Sequence, residues 1–124
     1  IADVDGDGRA DLLVGLFSRK VAFLKGDGTG KFQAAREFDV PSAPSRIAVG
    51  DLNGDGRPDL AVAAVQTSTD SILLNSGGGT FGAPKNYAVG RRPGNLFLAD
   101  LNADGRLDVV VGDGVPEAFT GGVG

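Results

Sequence analysis

One ten-residue pattern occurs three times in this chain, and it limits the possible folds more than any other feature. Asp3-Val4-Asp5-Gly6-Asp7-Gly8-Arg9-Ala10-Asp11-Leu12 returns as Asp51-Leu52-Asn53-Gly54-Asp55-Gly56-Arg57-Pro58-Asp59-Leu60 and as Asp100-Leu101-Asn102-Ala103-Asp104-Gly105-Arg106-Leu107-Asp108-Val109. The copies begin at 3, 51 and 100, so the spacings are 48 and 49 residues. A second marker, Gly28-Thr29-Gly30-Lys31-Phe32-Gln33-Ala34, is matched by Gly77-Gly78-Gly79-Thr80-Phe81-Gly82-Ala83, and a third, Val40 with Pro44, by Val89 with Pro93. All keep the same order. A unit of this length, with short apolar runs and no helical spacing, predicts an all-β chain of β-propeller blades, each of four antiparallel strands. The 21 glycines among 124 residues are about twice the usual ~7% share, as many tight turns require.

The complete central unit predicts strands at Ser45–Gly50, Asp59–Ala64, Ser71–Asn75 and Pro84–Val89, separated by Gly, Asn, Asp and Pro turns. The second strand is apolar on both faces in every copy (Leu12-Leu13-Val14, Leu60-Ala61-Val62, Val109-Val110-Val111), as expected between neighbouring sheets. The fourth alternates. Phe38 and Val40 oppose Glu37 and Asp39, and Tyr87 and Val89 repeat this, which places that strand at the wetter outer edge. Residues 1–40 then hold strands two to four of one blade with its Asp-rich loop, 41–89 a complete blade, and 90–124 strands one, two and the start of three, fading at Phe119–Gly124. About two and a half units of ~48 residues do not close a ring of about four to eight blades. The remaining blades are therefore expected from the rest of a longer polypeptide or from other copies.

Each decapeptide sets oxygen side chains at its first, third, fifth and ninth positions, and a tightly curled loop aims such alternating groups inward. Asp3, Asp5, Asp7, the Arg9 carbonyl and Asp11 would form a cage of hard oxygens, with Gly8 allowing the sharp turn. The matching sets are Asp51, Asn53, Asp55, the Arg57 carbonyl and Asp59, and Asp100, Asn102, Asp104, the Arg106 carbonyl and Asp108. Hard oxygens favour Ca²⁺ over Mg²⁺, which keeps its waters, and over softer metals that prefer His or Cys. An EF-hand closes with its acid at the twelfth loop position and is flanked by helices; here the acid is ninth and the flanks are strands, so that fold is rejected. The three loops hold ten of the sixteen carboxylates, four in the first and three in each of the others. Without metal, like charges crowd together. Three Ca²⁺ would move the net charge from −4 to +2. Ligand charge tunes calcium affinity, so the first loop, with Asp5 where the others have Asn53 and Asn102, is expected to bind tightest.

Composition narrows the chemistry. Cys, Met, His and Trp are all absent, which removes disulfides, Cys/His zinc sites and every Cys- or His-based catalytic apparatus. The longest apolar run, Leu60 to Val65, has six residues against the ~18 of a membrane helix, so no membrane span is expected. The chain starts at Ile1 within a repeat, and that is compatible with a removed upstream signal peptide. Paired carboxylates serve glycosidases, but all ten acids occupy loop-motif positions and read as ligands; no catalytic residue is identified. Gly26-Asp27-Gly28-Thr29-Gly30-Lys31 lacks the Gly-Lys-Ser/Thr ending and helix of a phosphate cradle and reads as a hairpin loop. No interleaved aromatics accompany the basic residues, which argues against nucleic acid.

The sequence resembles the FG-GAP or VCBS-type repeats of integrin α-subunit propellers and of many bacterial and fungal secreted or surface proteins. The Asp-rich loops, the run Gly79-Thr80-Phe81-Gly82-Ala83-Pro84, and Pro44 or Pro93 before the next inner strand carry the likeness over nearly the whole chain. Lys31, Gln33 and Ala103 depart from it. The resemblance implies that each Asp-rich loop joins strands one and two of a blade and binds Ca²⁺. It also implies an extracellular, secreted or cell-surface scaffold that recognises protein or carbohydrate. A lectin propeller, or a propeller of a secreted polysaccharide-degrading enzyme, is the alternative. By strand direction, the metal loops and Gly-rich turns share one end. The other end would carry Arg19, Lys20, Arg91 and Arg92 against Asp39 and Asp70, a positive excess that suits an anionic partner.

Overall fold

The computed structural model describes residues 1–64, 66–90 and 93–113. Within them every regular element is a β-strand, and all pairings are antiparallel. The first sheet has β1 (Leu12–Leu16), β2 (Lys20–Leu24) and β3 (Arg36–Asp39) in that order. The second contains β4 (Arg46–Gly50), β5 (Asp59–Ala64) and β6 (Thr69–Leu73). A small hairpin of β7 (Asn75–Gly77) and β8 (Thr80–Phe81) interrupts the run before β9 (Lys85–Ala88) pairs with β6, giving the order β4-β5-β6-β9. A third sheet pairs β10 (Pro93–Ala99) with β11 (Asp108–Asp113). These are propeller-type sheets in an all-β chain. The repeat predicts four strands for the central unit, and the sheet has four. The third ends at Leu73, however, and Asn75 belongs to the separate hairpin, because Gly77, Gly78 and Gly79 all take positive φ and turn the chain back early.

Sheet faces stack through two apolar seams. Val21, Phe23 and Val40 of the first unit meet Leu60, Val62, Leu73 and Phe81 of the second, with Val4 between them. Phe38 stands edge-on to Phe81, ring centroids 5.1 Å apart at 87°, a favoured aromatic arrangement. Gly79 lies so close that a Cβ would come within 2.5 Å of the Phe23 ring. The second seam joins Ala61 and Ala63 to Leu96, flanked by Ile72, Leu98 and Val111.

These seams explain where alternation and burial diverge. All six residues of β5 are buried, as expected for a strand covered on both faces. The matching strands β1 and β11 carry the same apolar composition but have one bare face among the described residues, leaving Val14 41% and Val109 36% exposed. Among the described residues the apolar second strand is covered on both faces only in the central unit, as expected where two and a half units leave the terminal sheet faces bare. On β3, Glu37 and Asp39 are exposed while Phe38 is half-buried and the following Val40 is buried, as the alternation predicts. On β9 the equivalent Tyr87 is 47% exposed.

Asp70 is a further departure. The sequence places it in a surface loop, but it lies within β6 at 2% exposure, and neither carboxylate oxygen has a hydrogen-bond partner. The strand register aligns it with Val21 of the first sheet. It borders a groove of about 700 Å³ lined with Leu52, Ile72, Leu74, Tyr87 and Val111. Burial pushes its carboxyl above the usual carboxylate range.

Two predictions follow from the packing. Leu60→Ala should cost about 2–5 kcal/mol, as deletions in filled cores do, whereas Val109→Ala at the equivalent bare position should cost under about 1 kcal/mol; urea titration of both variants checks the contrast. Asp70→Val should raise the melting temperature at neutral pH. A carboxyl whose folded-state pKa is raised contributes stability below its unfolded value and loses it as pH rises through the folded value. The gain should therefore shrink toward about pH 4, and melts at both pH values measure it.

Candidate metal centres

The second and third Asp-rich segments join β4 to β5 and β10 to β11, the first is closed by the isolated Ala2–Asp11 bridge and leads into β1, and each is wound by its own acids. In the first loop, Asp3 Oδ1 accepts from the backbone N–H groups of Gly6 (2.9 Å) and Asp7 (3.1 Å), and Oδ2 from that of Gly8 (2.9 Å). Asp5 accepts from the Asp7 N–H, and Asp7 from the Arg9 N–H. The second loop repeats this with Asp51, Asn53 and Asp55, and in the third Asp100 accepts from the N–H groups of Asp104 and Gly105, Asn102 from that of Asp104, and Asp104 from that of Arg106. Gly54 has φ 79° where Ala103 has φ 58°. The third loop thus carries a Cβ in the left-handed region, a conformation that costs roughly 1–2 kcal/mol without Gly.

The acid at the ninth position does something that spacing alone does not reveal. Asp11 and Asp59 are fully buried, and each accepts two backbone hydrogen bonds. Asp11 Oδ2 takes the Val4 N–H (2.8 Å) and Oδ1 the Gly26 N–H (2.9 Å). Asp59 Oδ2 takes the Leu52 N–H and Oδ1 the Asn75 N–H, both at 2.8 Å. Asp108 accepts the Leu101 N–H at 3.0 Å. A plain turn needs no acid there, but this fold needs one to pin the loop to the Gly-rich turn beside it. Those bonds also place Asp-rich loops and Gly-rich turns at the same end, as strand direction predicts.

Carboxylates nonetheless converge. One oxygen each from Asp3, Asp5 and Asp11 lies within 4.8 Å of the others, and the same holds for Asp51, Asp55 and Asp59. The first loop thus gathers its first, third and ninth positions, and the second its first, fifth and ninth. Asn53 turns its amide toward Asp55, donating at 3.3 Å. Among the expected ligands, Arg9, Arg57 and Arg106 are placed here by their N–H groups, each donating to the fifth-position Asp of its loop at 2.9 Å.

The charge balance differs between loops. Asp51 is held below the ordinary carboxylate range chiefly by the Gly56 N–H, then by those of Gly54, Asp55 and Asn53. Asp104 is held low mainly by the Arg106 N–H. In the first loop a cation is already present. Lys25, the residue just after β2, donates to Asp5 and lies 2.8 Å from Asp7. Asp5 and then Asp7 raise its pKa, and the same contact lowers that of Asp7. Lysine reaches the loop from across the turn, which no local motif signals.

At the opposite end, Lys20 is paired with Glu37 at 2.8 Å and Asp70 is buried inside the sheet. Arg91 and Arg92, expected on that surface, lie outside the described residues.

A family model described as an FG-GAP-like repeat matches residues 3–62 and 61–111. The chain belongs to that family. No curated protein and no solved structure matches it.

The buried acid has a structural role that the exposed acids of the loop do not share. Asp59→Asn replaces an acceptor oxygen with an amide that faces a backbone N–H, and should cost about 2–3 kcal/mol even in excess EGTA. Asp55→Asn, at an exposed position, should cost under about 1 kcal/mol in the same medium. Denaturant titrations of the two metal-free variants measure the difference.

Proposed function

From its membership in this repeat family, we propose that the chain is part of a calcium-stabilised, non-catalytic propeller that serves as an extracellular scaffold for protein or carbohydrate recognition. The observation that carries the reading is the second loop, where Asp51, Asp55 and Asp59 bring three carboxylates within 4.8 Å. Each of the three carboxylates keeps an oxygen that accepts a single hydrogen bond and so has a lone pair to offer, Oδ2 in the case of Asp51, and a divalent cation would offset their repulsion. The donor set suits Ca²⁺ by its hardness and its mixture of carboxylate, amide and carbonyl oxygens. In the first loop an ammonium nitrogen already sits against the acids, which supports a cation-seeking field at this position of the repeat. By the same pattern the carbonyls of Arg9, Arg57 and Arg106 would complete the cages.

Extracellular modules bind calcium at ~10⁻⁴ to 10⁻³ M, and this supports a location outside the cell. The acids at motif positions are engaged in loop bonds and clusters, which favours a scaffold over a hydrolase with a free acid–base pair. A lectin or an enzyme accessory role remains the second reading. Sugar-binding surfaces use aromatic platforms, and Phe17, 99% exposed at the end opposite the metal loops, is the residue that would serve one.

Calcium should stabilise the fold by mass action, by ~1.4 kcal/mol per site at ten times the dissociation constant. Melting temperature should rise with Ca²⁺, fall with EGTA and respond weakly to equimolar Mg²⁺. Identical melts in all three media reject the calcium reading.

A further inference from the structure

The first and second loops differ in two linked residues. Asp5 stands where the second repeat has Asn53. The strand register then identifies the other: β1 pairs Leu12 with Leu24 and β5 pairs Leu60 with Leu73. The next residue is therefore Lys25 in one unit and Leu74 in the other. The first loop gains an acid, and its neighbouring strand gains a base.

The geometry joins them. The Lys25 side chain is 27% exposed, and its ammonium contacts Asp5, whose side chain is 5% exposed, as well as Asp7 at 2.8 Å. Four carboxylates plus one ammonium give the first loop −4 + 1 = −3, the same as the three carboxylates of the second loop. Lysine is a compact, strongly hydrated charge with three donors, and bridging two carboxylates uses two of them. A divalent ion seated among Asp3, Asp5 and Asp11 would have to displace this ammonium or lie beside it, and either costs affinity. The extra acid that promises tighter metal binding is thus already spoken for.

We propose that the Lys25 ammonium is the resident counter-cation of the first Asp-rich loop, holding that loop folded without a divalent ion. The consequence for calcium rests on the reading above: the second loop, with Leu74 in place of lysine, is the metal-dependent one, and the order of affinities expected from Asp5 is reversed.

The test compares thermal melts of the chain, Lys25→Leu, and Lys25→Leu with Asp5→Asn, in EGTA and in Ca²⁺. In EGTA, Lys25→Leu should melt lower by about 4 °C, because four acids lose their cation. Adding Asp5→Asn should recover much of that loss by giving the first loop the composition of the second, whereas a mere packing defect would not be recovered. An EGTA melt of Lys25→Leu equal to that of the unchanged chain, or a loss undiminished by Asp5→Asn, overturns the proposal. In Ca²⁺, the Lys25→Leu protein should be protected more than the unchanged chain, as its first loop becomes available. Protection confined to the unchanged chain also overturns it. Absence of calcium protection in all three proteins rejects the calcium reading alone, since the EGTA comparison is made without the metal.

Discussion

A fully buried carboxylate that accepts two backbone N–H groups is the interaction on which the other features depend. Asp59 ties the N–H of Leu52, at the entry of its loop, to the N–H of Asn75, at the start of the following hairpin. Asp11 does the same for Val4 and Gly26. Three chain segments that are distant in sequence are thereby held at one end of each sheet. Burying an ionised acid is costly unless it is hydrogen-bonded, and here each oxygen has a partner. The converging acids of the loop then come together as a consequence, because the ninth residue, fixed by the backbone, forms the floor against which the other acids close.

Stacking supplies the second constraint. The same short apolar strand is a core strand in β5 and a half-bare strand in β1 and β11. A repeat buries its second face only against a neighbour, so stability grows with the number of seams rather than with the strand itself. Asp70 shows the converse. At the position where the first sheet has the buried Val21, the second sheet has an unpartnered acid, so this seam is chemically distinct from the first even though the strand pairing is the same.

The fold was largely legible because its signals are local. The decapeptide, the Gly-rich turn and the alternation of Phe38 and Val40 with Glu37 and Asp39 each report on a few adjacent residues, and their period supplies the strand order. The site was legible only as a set of ligand positions. The staple role of Asp11 and Asp59 needs the N–H groups of Gly26 and Asn75, 15 and 16 residues away, and spacing cannot show that a backbone group will arrive there. Lys25 escaped for the same reason, lying 20 residues from Asp5 and standing out only once the sheet register sets it against Leu74. An acid next to a Thr-Ser-Thr turn reads as solvated, whereas the strand starts at Thr69, two residues before the expected Ser71, and takes Asp70 in.

These pieces connect the Asp-rich loop to the seam beside it. Asn75, whose N–H is held by Asp59, also donates its side-chain amide to the Val4 carbonyl of the first unit at 2.8 Å and to the Pro58 carbonyl at 3.0 Å. Val4 in turn is pinned by Asp11 and belongs to the first apolar seam. A continuous path of hydrogen bonds therefore runs from one loop through Asn75 to the next. Arg36 adds a second tie across the same seam, bonding the Gly78 carbonyl and lying over the Phe23 ring. Charge balance in the second loop thus bears on more than its own turn. If the acids of that loop repel and it loosens, Asp59 and Asn75 shift with it, and the amide bridge to Val4 is the contact between units that the shift would strain first.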